Sequence, residues 1–248
     1  MKKKKELTRL DALLVARGLA DSAHKAQAMI LAGEVFIDGE RVSKSGTAVS
    51  TDVTLEVNSR EQKYASRGGL KLEGALRDFH IEAAGRLCVD VGSSTGGFTD
   101  CLLQHGATRV YAVDVTVDQI AWKLRQDARV VLIKSNAREL KASDIPENVS
   151  LATFDVSFIS VGKVLAPVTG IASAGADFLV LVKPQFELSR EEIGPGGIVA
   201  DSKLHEKAIE IVERAAESAG LTVMGAKPSQ LTGAEGNQEY FLHARKSP

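Results

Sequence analysis

Apolar and polar positions along this chain change period, and the changes mark out its elements. Between residues 9 and 57 the apolar runs are short. Leu10, Leu13, Leu14 and Leu19 predict an amphipathic helix stopped by Gly18. Ala26, Met29 and Ile30 share one face of a second helix, with Ser22 as its N-cap and Gly33 as its stop. Asp38-Gly39 then separates two short apolar runs, a strong hairpin signal. After a polar stretch at 58–64 the pattern alternates between apolar runs of strand length and amphipathic segments of helix length. It predicts strands at 87–91, 110–115, 130–134, 152–158 and 178–182, and helices at 70–79, 97–105, 117–125, 161–172 and 202–219. Two further strands, 221–226 and 239–245, close the sheet as a hairpin. Alternation of this kind predicts a parallel sheet with helices on both faces.

The segment 87–98 runs an apolar strand straight into a glycine-rich turn and a helix. Asp90 and Gly92 fall at the strand's carboxyl end, where ligands collect in open α/β sheets. The dinucleotide fingerprint Gly-x-Gly-x-x-Gly would need a glycine at position 94, and this chain has Ser94. The spacing Asp90-x-Gly92-x-x-x-Gly96 instead resembles the S-adenosylmethionine site of class I methyltransferases. On that resemblance Asp90, Gly92, Ser93, Ser94, Gly96, Gly97 and Phe98 bind S-adenosylmethionine, with Gly92, Ser93, Gly96 and Phe98 near its methionine part. Asp114 ends the next strand about twenty residues on, the spacing of a ribose-binding carboxylate. Asn136 and Ala137, beyond the third strand, fall near the adenine.

Composition sets the class. The chain has 248 residues, 44% hydrophobic and 25% charged, which is ordinary globular usage with room for one large domain or two unequal ones. Net charge is −1, but residues 1–71 carry 13 Lys+Arg against 9 Asp+Glu while the remainder carries 18 against 23, so the basic end is the expected contact for a polyanion. Cys88 and Cys101 lack paired metal-ligand spacing and read as reduced, space-filling thiols, with no metal expected. The lysines at positions 2–5 are followed by Glu6, Arg9 and Asp11 rather than an apolar export segment, and the least polar window, 161–182, holds Lys163, Pro167 and Asp177. A cytoplasmic protein without membrane contact is expected; oligomeric state is not legible.

The first module carries a resemblance. Arg9-Leu10-Asp11-x-x-Leu14-Val15, then Ser22-x-x-x-Ala26-x-x-x-Ile30-x-x-Gly33-x-Val35-x-Ile37-x-Gly39, resembles the S4 RNA-binding domain. The resemblance implies that Arg9, Lys25, Arg41 and Lys44 grip RNA phosphates. Ala23 stands where that family often has arginine, so the grip there is weaker or shifted onto His24 and Lys25. The expected organisation is an S4-like domain over 1–57, a linker over 58–64 and a second domain over 65–248.

Four polar residues, Lys71, Asp155, Lys183 and Glu239, fall at ends of apolar strands or in the helix before the sheet, where each needs a partner. With their surroundings Ser66-Arg67-Gly68-Gly69-Leu70-Lys71, Phe154-Asp155-Val156-Ser157-Phe158, Val182-Lys183-Pro184-Gln185-Phe186-Glu187 and Asn237-Gln238-Glu239-Tyr240, they resemble the catalytic lysine, aspartate, lysine and glutamate of FtsJ-like ribose 2′-O-methyltransferases. An S4 module fused to that domain is the arrangement of the haemolysin-A-type (TlyA-like) rRNA methyltransferases. The implied fold class is α/β, a Rossmann-like class I methyltransferase sheet preceded by a small α+β S4-like domain. The implied activity is S-adenosylmethionine-dependent methylation of a cytidine ribose in ribosomal RNA, with the rRNA or a ribosomal subunit as partner and Arg67 as a further RNA contact.

A lysine accepts a proton only as the neutral amine, which desolvation or a nearby like charge favours. Lys183 is expected as the base, with Lys71 supplying the like charge and Asp155 and Glu239 orienting the two lysines. The chain ends soon after the Glu239 strand, which points to the large subunit alone. A membrane-active haemolysin, and an RNA-binding protein without catalysis, are the competing readings. His80 and His105 are read as helix-closing residues, and 193–199 as a mobile loop near the site.

Overall fold

The computed structural model describes residues 7–20, 22–57, 63–233 and 236–247. The chain divides into two compact units, Met1–Gln62 and Lys63–Pro248.

In the smaller unit, β1 (Leu7–Arg9) leads into α1 (Leu10–Ala16), and α2 (Ala23–Leu31) is followed by β2 (Val35–Ile37), β3 (Glu40–Arg41), β4 (Ala48–Ser50) and β5 (Leu55–Val57). Ser22 caps α2 by accepting the Lys25 N–H at 3.2 Å, as its position in the sequence predicts. Asp38 and Gly39 both take positive φ in the β2–β3 turn, which suits the twist of a two-residue hairpin. Leu10, Leu14, Ile30 and Val35 are fully buried in the core. Leu19 lies beyond α1 and is exposed, so it is no part of that helix's buried face.

The larger unit opens with α3 (Gly68–Asp78). It continues through β6 (Leu87–Val91), α4 (Gly97–Gln104), β7 (Arg109–Asp114), α5 (Trp122–Arg125), β8 (Val130–Lys134), β9 (Val149–Phe154), α6 (Gly162–Ile171), β10 (Ala172–Val182), α7 (Pro184–Glu187), α8 (Ser202–Ser218), β11 (Leu221–Pro228) and β12 (Tyr240–Lys246). Seven strands among the described residues form one sheet in the order β11-β12-β10-β9-β6-β7-β8, with β12 antiparallel to both neighbours and the central pairs parallel. Successive residues of β6 and β7 face opposite cores. Val89, Val91, Tyr111 and Val113 pack with Leu165, Val168 and Val212 of α6 and α8, whereas Cys88, Val110 and Ala112 pack with Leu72, Leu76 and Leu102 of α3 and α4. This is the α/β sheet covered on both faces that the alternation predicts.

Several boundaries move. The strand expected at 152–158 ends at Phe154, which leaves Asp155 just beyond the sheet edge. The helix expected over 117–125 breaks into a 3₁₀ turn at Val117–Gln119 and the short α5, because Ile120 and Ala121 are extended. The strand expected from 178 begins at Ala172 with an irregularity before Asp177, and Glu239 precedes β12 rather than opening it. Tyr64, read as linker, is buried in the larger unit's core, and Lys63 pairs with Glu73; 58–62 lie outside the described residues.

At the amino ends of the parallel strands, Asp177 is 2% exposed and holds the sheet's edge together. It accepts from Arg86 at 2.7 Å, His243 at 2.9 Å, and Arg245 at 2.9 and 3.0 Å. Burial would push its carboxyl up, but the hydrogen bonds from His243, Arg86 and Arg245 together hold it well below the usual carboxylate range. A depressed folded pKa gives stability that is present above the unfolded value of about 3.9 and is lost as pH falls. Asp177→Ala should therefore lower the unfolding free energy by about 3–5 kcal/mol at pH 7. Denaturant titrations should show the gap to the parent narrowing below about pH 4; a gap independent of pH would rule out the ion cluster as its source.

Candidate active site

The sheet runs outward from β6 through β7 to β8 and then returns to place β9 on the other side of β6. The crevice of such a sheet opens at that reversal, beyond the carboxyl ends of the two strands. Gly92 and Asp155 stand there, joined to the sheet by Asp155 N donating to the Val91 carbonyl at 2.9 Å. Gly92 has φ +85°, and a Cβ on it would sit 2.5 Å from the Asp155 carbonyl oxygen, so the floor of the crevice admits no side chain. Gly97 begins α4, and a Cβ on it would sit 3.0 Å from the backbone nitrogen of Gly69, so the first turns of α3 and α4 meet closely at one wall.

Two adjoining hollows share Gly92, Ser94 and Asp155. The first is lined also by Ser66, Arg67, Lys71, Ser93, Thr95, Gly97, Phe98 and Thr232. The second is lined by Asp114, Val115, Gln119, Ser135, Asn136, Ala137, Ser157 and Phe158. Asp114 takes the backbone N–H groups of Ser94 and Thr116, each at 2.9 Å, which fixes its carboxylate at the rim. Ser93 Oγ is buried with no hydrogen-bond partner among the described residues, in a hollow it lines.

The four polar residues singled out in the sequence meet here in two pairs. Lys71, 9% exposed, is ion-paired with Glu239, 2% exposed. Lys183, 8% exposed, stands 2.6 Å from Asp155 Oδ1 and donates to Ser157 Oγ at 2.8 Å. Lys71 and Asp155 line the same hollow, so each pair reaches it through one member, while Glu239 and Lys183 line neither hollow. Each lysine thus has a carboxylate of its own. The expected push of Lys71 on Lys183 as a bare like charge is not what the pairing gives, because the Lys71 charge is matched by Glu239.

Other expected residues fall elsewhere. Asp90 is fully buried beneath the crevice and does not line it: its carboxylate accepts from Thr99 Oγ1 at 2.7 Å and Thr153 Oγ1 at 3.3 Å. Gly96, at φ +93°, faces Leu124 and Ile120 rather than either hollow. The segment 193–199 is stapled, not loose. Val199 is buried, Asn237 accepts the Val199 N–H and donates to the Gly197 carbonyl, both at 2.9 Å, and His205 holds the Val199 carbonyl at 2.7 Å. Arg67 is exposed at the first hollow, with one long bond to the Thr232 carbonyl. In the smaller unit Arg9, Lys25, Arg41 and Lys44 are all exposed, and the Arg9 guanidinium is bound twice by buried Asp11.

Phe158 was missed. It is 88% exposed with φ +68°, a strained backbone for an aromatic residue, and its ring lies 5.4 Å from that of Phe186. Its hydrophobicity made it read as the last buried residue of a strand; only the position of the strand end, four residues earlier than expected, could have revealed it.

An open α/β sheet with a glycine-floored crevice and paired lysines defines a class of transferase, and the sequence comparisons give the same class. Residues 64–246 match the FtsJ-like methyltransferase family and residues 8–55 match the S4 domain. The chain belongs to the FtsJ-like methyltransferases, in the form that carries an S4 domain ahead of the catalytic fold. It is 48% identical to the 16S/23S rRNA (cytidine-2′-O)-methyltransferase TlyA of Mycobacterium tuberculosis, over 96% of this chain and 89% of that protein. It is 40% identical to Hemolysin A of Brachyspira hyodysenteriae, over 95% of this chain and 98% of that protein. A solved Streptococcus thermophilus protein described as a hemolysin superposes with a TM-score of 0.76 at 40% identity, covering 98% of this chain and 90% of that one. No helix among the described residues is long and apolar enough to cross a membrane.

Asp90 gives the site a measurable pH signature. Burial pushes its carboxyl up to about 7, the charge of Asp155 adds to this, and hydrogen bonds from Thr99 and Thr153 oppose it. A carboxyl raised in the folded state contributes stability that is complete below the unfolded pKa of about 3.9 and declines as pH rises to the folded value. Asp90→Asn should abolish that decline, so its stability relative to the parent should rise between about pH 4 and pH 7. Chemical denaturation across this range checks it, and parallel curves for the two proteins would refute the assignment.

Proposed function

We propose that the protein transfers a methyl group from S-adenosylmethionine to the 2′-hydroxyl of a cytidine in ribosomal RNA. The observation that carries this reading is the convergence of Lys71–Glu239 and Lys183–Asp155 on one glycine-floored hollow. The family match spans all four residues, and the tuberculosis relative is named for this reaction.

S-Adenosylmethionine, when bound, supplies a methyl group activated by its sulfonium. The residues suit it: the unpartnered Ser93 Oγ fits the amino-acid head group, Asp114 the ribose hydroxyls, and the wall of Val115, Asn136 and Ala137 a purine. Lys183 Nζ takes the proton of the 2′-hydroxyl while Asp155 and Glu239 fix the directions of the two lysines. Phe158 offers its exposed ring at the rim as a stacking surface for the target base, a contact worth about 1–3 kcal/mol. The S4 unit holds the RNA through Arg9, Lys25, Arg41 and Lys44, and Arg67 meets it at the hollow. Ribosomal RNA as substrate sets the work in the cytoplasm.

Mass mapping of both ribosomal RNAs from cells with and without the gene tests the reaction: a missing ribose methyl supports it, and identical spectra overturn it. With purified protein, Lys183→Ala should lower methyl transfer by at least about a hundredfold, while calorimetry shows S-adenosylmethionine still bound; near-normal turnover would remove Lys183 as base. Phe158→Ala should raise KM for RNA roughly tenfold with little change in affinity for the methyl donor.

A further inference from the structure

We infer that Ser157 is a positioning residue for the methyl-transfer step, setting the direction from which Lys183 receives the proton. The inference rests on the reading of Lys183 as the base. A lysine ammonium has three N–H donors, and two of those on Lys183 meet protein acceptors, Asp155 Oδ1 at 2.6 Å and Ser157 Oγ at 2.8 Å. Once the amine is neutral it keeps two N–H bonds and one lone pair. With both N–H bonds held, by Asp155 and by Ser157, the lone pair has a single direction left. Asp155 and Ser157 both line the second hollow; Lys183 lines neither hollow itself and adjoins them through these two side chains. Asp155 alone fixes one N–H and leaves the second N–H and the lone pair free to exchange between the two remaining positions on nitrogen.

The segment that carries Ser157 is fastened at three points to the turn that carries Lys183. Ser157 Oγ accepts from Lys183, the Phe158 ring lies against Phe186, and the Val161 N–H donates to Glu187 Oε1 at 2.8 Å. Asp155, Ser157 and Phe158 therefore hold their places relative to Lys183 through contacts that all begin within residues 183–187. The other charged groups around the site are Lys71 with its partner Glu239, Arg67 and Asp114 on the hollows, Glu187 on the Lys183 turn, and the buried Asp90. None of these accepts a bond from Lys183, so Ser157 is the second anchor for its amine.

In the transfer, the ribose oxygen forms a bond to the methyl carbon as the carbon–sulfur bond breaks and its electron pair returns to sulfur. The hydroxyl proton passes to Lys183 Nζ along the lone-pair direction, and the N–H bonds to Asp155 and Ser157 persist throughout.

The test compares Ser157→Ala, Ser157→Thr and Ser157→Val in the full chain, with an rRNA transcript and S-adenosylmethionine. Thr keeps the hydroxyl, and Val has the shape of Thr without it. Loss of the hydroxyl should lower kcat roughly tenfold in Ala and Val, leave both KM values within about twofold, and be restored in Thr. Combining Ser157→Ala with Asp155→Asn should cost less than the product of the two single effects, because both act on the same amine. Normal kcat in Ala and Val overturns the inference. So does a raised KM at unchanged kcat, which would make Ser157 a substrate contact, and so does equal loss in Thr and Val, which would make it a packing position. Lys183→Ala assayed alongside separates the levels: turnover surviving there removes the base itself, whereas an inactive Lys183→Ala beside a fully active Ser157→Val removes only the serine.

Discussion

A buried ammonium at the end of an apolar sheet is tolerable only beside an anion, and this molecule buries two. Removing one partner from such a pair leaves an uncompensated charge, which costs far more than the pair itself contributes. Lys71 on α3 therefore commits Glu239 just before β12, and Lys183 just after β10 commits Asp155 just after β9. The four elements come from distant parts of the sequence, so the pairs tie the first helix of the larger unit to its last strand across the crevice. Binding-site geometry and fold closure rest on the same contacts.

The two ends of the sheet use charge differently. At the amino ends Asp177 is surrounded by Arg86, His243 and Arg245, three donors for one acid, an arrangement that saturates the carboxylate. At the carboxyl ends each acid meets one lysine, and the polar groups around them, Ser93 Oγ among them, are left with capacity to bind. Saturation suits an anchor. Unspent hydrogen-bonding capacity suits a site, because a ligand can then satisfy what the protein does not.

Much of this was legible in the residues. Apolar runs of strand length located the parallel strands to within a few positions, since a strand buried on both faces has no choice but to be apolar. Ser22, Gly33 and Asp38-Gly39 announced the smaller unit's punctuation through local backbone chemistry alone. What failed was whatever depends on tertiary context. Phe158 reads as core because side-chain hydrophobicity carries no record of where a strand stops, and Tyr64 reads as linker because its neighbours are polar. Asp90 reads as a ligand contact from its place in the glycine motif, yet the two threonines that receive it are 9 and 63 positions away. The polar residues could be singled out as needing partners, but which lysine takes which acid is decided by strand order, and strand order is not written in any one segment.

Strand order also decides what the reaction would do to the site's charge. Under the proposed chemistry Lys71 and Glu239 cancel before and after the step, so they contribute a fixed field and no change. Asp155 faces a neutral amine while the positive charge sits on sulfur, and faces an ammonium once the proton has moved to Lys183. One unit of positive charge is thus displaced within the crevice and none is gained or lost. Asp155 lines both hollows and stands 2.6 Å from Lys183, so its carboxylate favours the ammonium that the transfer would produce. A site built this way needs little reorganisation during the transfer, since the groups that stabilise the product charge are already held by the pairs that close the fold.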